Sequence, residues 1–294
     1  MKHPLGDTAM IRSFLIPLLI STSLPAELIY DPFAIGTNPA AGEYVDGGIL
    51  KNVGPTLSGF TGNWTGGTDR WATSTAGLSY QSGNVSLGSL SSGTVIRRSD
   101  GGGTGANSTG RDLSSANSLN SPNTFWFATL FNPGSISSGE ITELNFRIDD
   151  GGAAINMRMS GSDLLLEGSN QGNLQAGVTT MILGRVAVNT VSSDNGVLED
   201  LDFWINPSDL SSVGALGAAS YSVSGNYQDG QSYGPNDVAI TMAGAVGSGN
   251  RVDEFVLTDS FSELQSVAYA IPEPGTLWLA LLAGGSLFLL RRRR

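Results

Sequence analysis

The alternation of apolar and polar residues is sharpest between Ala154 and Ser160, where Ile155, Met157 and Met159 are interleaved with Asn156, Arg158 and Ser160. A period of two predicts a strand with one buried face and one wet face, because successive side chains of an extended chain point to opposite sides. Thr124 to Phe131 (TFWFATLF) is instead aromatic and β-prone almost throughout, as expected of a strand covered on both faces. Further strands are predicted at Glu143 to Ile148, Asp163 to Glu167, Thr180 to Val188, Asp200 to Asn206, Asp237 to Met242 and Arg251 to Thr258. Turn signals separate them at Asp149-Asp150-Gly151-Gly152, Gly168-Ser169-Asn170, Asp194-Asn195-Gly196 and Gly247-Ser248-Gly249-Asn250. No helical period longer than a turn or two stands out before the last two dozen residues. Short strands at this spacing predict an all-β fold, an antiparallel two-sheet jelly-roll sandwich.

The two ends break this pattern. Lys2, His3 and Arg12 precede an apolar run from Phe14 to Ile20, and small residues follow at Ser21, Ser23 and Ala26. That order of basic, apolar and small residues predicts a signal peptide over residues 1–26, with Met10 as an alternative start. At the other end Pro272-Glu273-Pro274 stops any regular element, since proline lacks a backbone donor and restricts the residue before it. Gly275 to Leu290 is apolar apart from Thr276 and Ser286, and Arg291, Arg292, Arg293 and Arg294 close the sequence. This predicts a single C-terminal transmembrane helix of about 24 Å at ~1.5 Å per residue. Arginine snorkelling and Trp278 near the opposite interface cover its shortfall. The positive-inside rule leaves the arginines in the cytoplasm and the body outside.

This tail resembles the PEP-CTERM sorting signal of Gram-negative, exopolysaccharide-producing bacteria. The resemblance implies that an exosortase recognises Pro272, Glu273 and Pro274 as substrate features, with Arg291 to Arg294 as the basic cluster of a membrane anchor at least transiently in place. The organisation expected is a signal peptide at 1–26, one domain at 27–270 and a sorting signal at 271–294. The body resembles concanavalin A-like, LamG-like jelly rolls through Tyr30-Asp31-Pro32-Phe33, the Gly62-Asn63-Trp64-Thr65-Gly66-Gly67 turn, Gly77-Leu78-Ser79-Tyr80, Ile182-Leu183-Gly184-Arg185, Asp202 to Pro207 and Val252-Asp253-Glu254-Phe255.

Composition narrows the chemistry. The chain has 40 glycines, one histidine and no cysteine, so thiolate nucleophiles, disulfides and Cys-ligated metals are excluded. His3 lies in the segment expected to be removed, which takes imidazole chemistry from the body. Between the end segments nine basic residues stand against twenty-four acidic ones, a balance that makes nucleic acid an unsuitable partner. A glycoside hydrolase needs two carboxylates set across a sugar. Some glycoside hydrolase families place them in Glu-x-Asp-x-x-Glu on one strand face, and Glu199-Asp200-Leu201-Asp202 has no third acid at the place that pattern requires, since Ile205 stands three residues after Asp202. Asp253 and Glu254, adjacent on a strand, are expected on opposite faces. No catalytic residue is therefore assigned, and a non-enzymatic exported protein of the cell surface or polysaccharide matrix is expected.

Two alternatives stay open, a polysaccharide-active hydrolase with a dispersed acid pair and a calcium-stabilised adhesin. Asp194, Asn195, Glu199 and Asp200, or Asp149 and Asp150, offer the oxygen ligands calcium takes. Trp64 and Trp71, set among turn residues, are candidates for stacking on sugars, whereas Trp126 and Trp204 within strands are expected in the core. Polysaccharide is thus a possible partner beside the exosortase and the membrane.

Overall fold

The computed structural model describes residues 28–36, 43–46, 60–66, 71–89, 93–97, 107–113, 124–134, 141–147, 154–192, 196–228, 237–243 and 249–268. The expected signal peptide, the sorting signal, the membrane helix and the acidic turns at 149–150 and 194–195 lie outside these residues. Strands appear in the order β1 (Leu28–Asp31), β2 (Phe60–Gly66), β3 (Trp71–Ser74), β4 (Ser79–Ser82), β5 (Val85–Gly88), β6 (Thr94–Arg97), β7 (Asn107–Leu113) and β8 (Thr124–Asn132). There follow β9 (Ile141–Arg147), β10 (Ala154–Ser160), β11 (Asp163–Leu166), β12 (Ser169–Asn173), β13 (Thr180–Ser192) and β14 (Gly196–Ile205). The last elements are β15 (Tyr221–Gln228), β16 (Asp237–Ala243), β17 (Arg251–Thr258) and one helix, α1 (Phe261–Ala268).

Two antiparallel sheets carry the fold. The first runs β15-β14-β13-β8-β17-β6-β3, with β1 added beside β17, and the second runs β12-β11-β10-β9-β16-β7-β2. The β10 alternation holds: Ile155, Met157 and Met159 are buried and Asn156, Arg158 and Ser160 half-exposed. The double coverage expected of β8 also holds. Phe125, Phe127 and Phe131 face the second sheet and meet Ile182, Phe203 and the β10 methionines, while Trp126, Ala128 and Leu130 face the other way.

That second face is sealed by a layer the strand pattern does not announce. The β4-β5 hairpin contributes Tyr80, Val85 and Leu87, the segment after β14 contributes Leu210, and α1 contributes Leu264 and Ala268. The hairpin turns on Gly83 and Asn84, with φ +55° at the glycine, the placement a two-residue turn of type II′ favours. Asn84 fastens it to the body: its side-chain amide donates to Asp209 Oδ1 at 2.6 Å and its Oδ1 accepts from the Leu210 N–H at 2.8 Å. Trp126 and Trp204 lie in this layer as expected of core residues, and the Phe261 ring of α1 rests 4.7 Å from that of Trp126.

The stretch before residue 121 folds more fully than its Gly, Ser and Asn content suggests, supplying β1 to β7. Gly62-Asn63-Trp64 is not a turn but part of β2, where φ is +65° at Gly62 and the register shifts between Thr61 and Thr65. Likewise Ser169 and Asn170 begin β12, and the hairpin turn falls one step earlier, on Glu167 and Gly168. Among the described residues no helix is long and apolar enough to cross a membrane.

Gly184 tests the packing of the first sheet. A Cβ built there would lie 1.9 Å from Phe127 Cζ, the ring directly across the β13-β8 ladder. Gly184→Ala is expected to cost roughly 1–3 kcal/mol through overpacking, a drop of several degrees in Tm. A Tm within 1 °C of wild type, by calorimetry of the purified body, would contradict this packing.

Candidate functional site

The densest polar chemistry among the described residues surrounds the pairing of β1 with β17. Asp31, at the end of β1, is fully buried. Its Oδ1 accepts from the Phe33 N–H at 2.9 Å and its Oδ2 from the Tyr44 hydroxyl at 2.6 Å, and Tyr44 in turn accepts from Trp64 Nε1 at 3.0 Å. This relay joins β1 of the first sheet to β2 of the second. Pro32 and the Asp31 carboxylate set the local turn, and Phe33 takes a left-handed φ of +46°, a conformation that costs a bulky residue about 1–3 kcal/mol. Gly93 permits it, since a Cβ there would fall 1.7 Å from the Phe33 carbonyl oxygen.

Burial pushes the Asp31 carboxyl up to about 6, against the opposing effects of Tyr44, the Phe33 N–H and the Arg111 charge. Arg111 comes from β7 and is buried, its Nε donating to the Gly62 carbonyl at 3.1 Å and its guanidinium lying 4.8 Å from the Phe60 ring centroid.

On the other side of the same strand pair sit Asp253 and Glu254. They were expected on opposite faces, but both are buried. The reason is a β-bulge: the β17-β8 register shifts between Asp253 and Val256, and Glu254 adopts φ +55°. Asp253 Oδ2 accepts from the Leu78 N–H at 2.7 Å, its Oδ1 from the Glu254 N–H at 2.9 Å, and Glu254 accepts from the Tyr30 hydroxyl. Burial first, and the neighbouring Glu254 charge second, push Asp253 up to about 9. Burial and the same glutamate raise Tyr30. These acids are closed off from any polymer in this conformation, so they hold the fold and do not present a hydrolytic pair.

The other sequence candidates disperse. Trp64 is not a stacking platform: it is 1% exposed, its ring 6.2 Å from that of Phe33. Trp71 lies in β3 opposite Arg97. Of the calcium candidates, Glu199 and Asp200 fall in β14, paired with Val188 and Ala187. Asp202, two residues on, is already engaged by Arg185 and by the Ser222 hydroxyl. Among the described residues no group of three or more acids or histidines is arranged to hold a metal ion. The relay of Asp31, Tyr44 and Trp64 was missed from sequence, since its members are spread over three segments.

Half-exposed polar side chains line the outer face of β9 and β10 in the second sheet. Asn156 Nδ2 donates to Glu143 Oε1 at 2.5 Å across the β10-β9 ladder, and Arg158 pairs in register with Glu143. Arg158 Nε is buried with no hydrogen-bond acceptor among the described residues, an unmet donor on an otherwise wet face.

Residues 270–294 match the family described as PEP-CTERM protein-sorting motif. The chain carries a PEP-CTERM sorting motif. The match includes Pro272, Glu273, Pro274 and the four terminal arginines. No curated protein matches this chain in sequence.

Solved structures similar to it include the endo-β-1,4-glucuronan lyase from the fungus Trichoderma reesei, at 13% identity and a TM-score of 0.39, covering 66% of this chain and 90% of that one. An alginate lyase from Chlorella virus has 10% identity and a TM-score of 0.39, covering 65% and 93%. The globular domain of T. cruzi calreticulin has 10% identity and a TM-score of 0.37, covering 76% and 95%. Likeness at this level says nothing of the chemistry of this chain.

Asp31 and Asp253 make stability depend on pH. Each keeps a proton in the folded protein that the unfolded chain releases near pH 4. The folded state therefore binds more protons between about pH 4 and 9, and stability falls as pH rises. Tm is expected to drop by roughly 5 °C or more between pH 5 and pH 8, with a flatter slope in Asp253→Asn. A Tm that is level or climbs over that range would overturn this account of the acids.

Proposed function

We propose that the protein is a non-enzymatic, exported β-sandwich protein of a Gram-negative bacterium, sorted by an exosortase and resident at the cell surface or in the extracellular polysaccharide. The match of residues 270–294 to the sorting motif carries this reading. The order of basic, apolar and small residues over 1–26 supports export. The apolar run Gly275 to Leu290 and the arginines after it support membrane anchoring until the tail is removed. A body without cysteine, with its histidine in the leader and with Asp31, Asp253 and Glu254 buried, supports a binding or structural role over catalysis.

Polysaccharide contact is assigned in this proposal to the outer face of the second sheet around Glu143, Asn156 and Arg158. Amide, carboxylate and guanidinium groups there match the alternating donors and acceptors of sugar hydroxyls. Intact-mass analysis of fractionated cells tests the sorting: mature protein is expected to lack Leu277 to Arg294, and replacement of Pro272, Glu273 and Pro274 by alanine is expected to retain them. Tail-bearing wild-type protein in cells with a working exosortase would contradict the proposal. Affinity electrophoresis against the producer's own exopolysaccharide tests the contact, with retardation expected for the wild-type body and reduced at least about threefold, or about 0.7 kcal/mol, in Arg158→Ala. Equal mobility of the two would remove the sheet face from the proposal.

A further inference from the structure

Only Tyr269, Ala270 and Ile271 separate Pro272, the first residue of Pro272-Glu273-Pro274, from the last residue of α1. That last residue, Ala268, is fully buried, as is Leu264 one turn earlier. Phe261 leans on Trp126, the Thr258 hydroxyl donates to Glu263 Oε2 at 3.1 Å, and the Gln265 amide donates to the Leu210 carbonyl. While α1 is docked, Pro272 can lie no more than about 14 Å from Ala268, since an extended chain spans at most ~3.6 Å per residue. A body of this size has a radius of gyration of roughly 18 Å. Pro272 therefore starts within about 14 Å of a residue buried in the body, and the apolar run from Gly275 follows three residues later in sequence.

We propose that α1 is a clasp that restrains the sorting motif, and that release of the helix from the first sheet sets the rate at which the tail is processed. This rests on the exosortase reading above. Releasing the eight residues of α1 into an extended chain adds about 27 Å of reach, roughly tripling the distance available to a membrane-embedded enzyme that must grip the chain on both sides of the bond it cuts. Opening of a two-turn helix is a local event that does not require the sandwich to unfold. In the processing step a peptide bond near the motif breaks. The body keeps the acyl carbon and passes it to water or a primary amine, and the tail leaves as the free amine after taking up a proton.

The test is a pulse-chase of the full chain in cells with a working exosortase, read as the fraction of intact mass that has lost the tail. Three variants are compared with wild type. One carries a ten-residue Gly-Ser insertion between Ala268 and Tyr269, the second is Leu264→Ala, and the third has Pro272, Glu273 and Pro274 replaced by alanine. The insertion and Leu264→Ala are expected to speed processing threefold or more, and the motif replacement to stop it. The insertion leaves every docked residue of α1 in place, so its result does not depend on whether Leu264→Ala folds. An insertion variant processed within twofold of the wild-type rate, with the motif replacement still inert, would overturn the clasp alone. If neither wild type nor the insertion variant loses its tail, the sorting reading fails and the clasp with it.

Discussion

Strand β17 is the member on which the sandwich depends. It pairs with β8 along one edge, while its other edge is divided between β6, at Arg251 and Val252, and β1, at Phe255 to Thr258. The change of partner falls at the Asp253-Glu254 bulge. A regular strand could not serve both partners while burying Val252 and Phe255 on the same inner face, because residues three apart in a strand of period two point to opposite sides. The bulge supplies the missing step, and everything on the far side of β17 inherits its place from that irregularity.

The same irregularity explains why so many acids are buried in one place. Bending the chain at Glu254 turns two carboxyl groups inward at once, and both find donors: the Leu78 and Glu254 N–H groups for Asp253, and the Tyr30 hydroxyl for Glu254. On the opposite side of the strand pair Asp31 organises Phe33, Tyr44 and, through Tyr44, Trp64. Buried carboxyls tied into hydrogen bonds fix geometry more than they add stability. Here they lock an N-terminal strand of four residues onto the sheet, and burial pushes Asp31 up to about 6 and Asp253 up to about 9, toward their neutral forms.

Period and apolar content made the centre of the fold legible. The alternation at Ile155, Met157 and Met159 and the double coverage of Thr124 to Phe131 follow from side-chain direction alone, and both are found. Arg251 to Thr258 was delimited to the residue, but its faces were misassigned, because a bulge breaks the rule of alternation without leaving a mark in composition. Trp64 was read as a turn residue from its glycine and asparagine neighbours. Its burial is decided by Tyr44 and Phe33, which are neighbours only in space. The helix α1, at eight residues, is too short for a 3.6-residue period to stand out. The sorting motif needed no fold at all to be recognised, since it is a linear signal.

The position of β17 in the chain has a consequence for the order of events during export. β1 is the first described strand and β17 the last, and Leu28 lies opposite Thr258 in their ladder. Chain that crosses a membrane from its N-terminus delivers β1 first and must leave it without a partner until nearly the whole body has followed. The β6, β3 and β1 part of the first sheet cannot join β8 before β17 is in place, because among the described residues β17 is the strand that links them to it. Closure of such distant contacts is slow and leaves strand edges open in the meantime. A chain delivered in this order keeps its first sheet unfinished until β17, the last described strand, arrives.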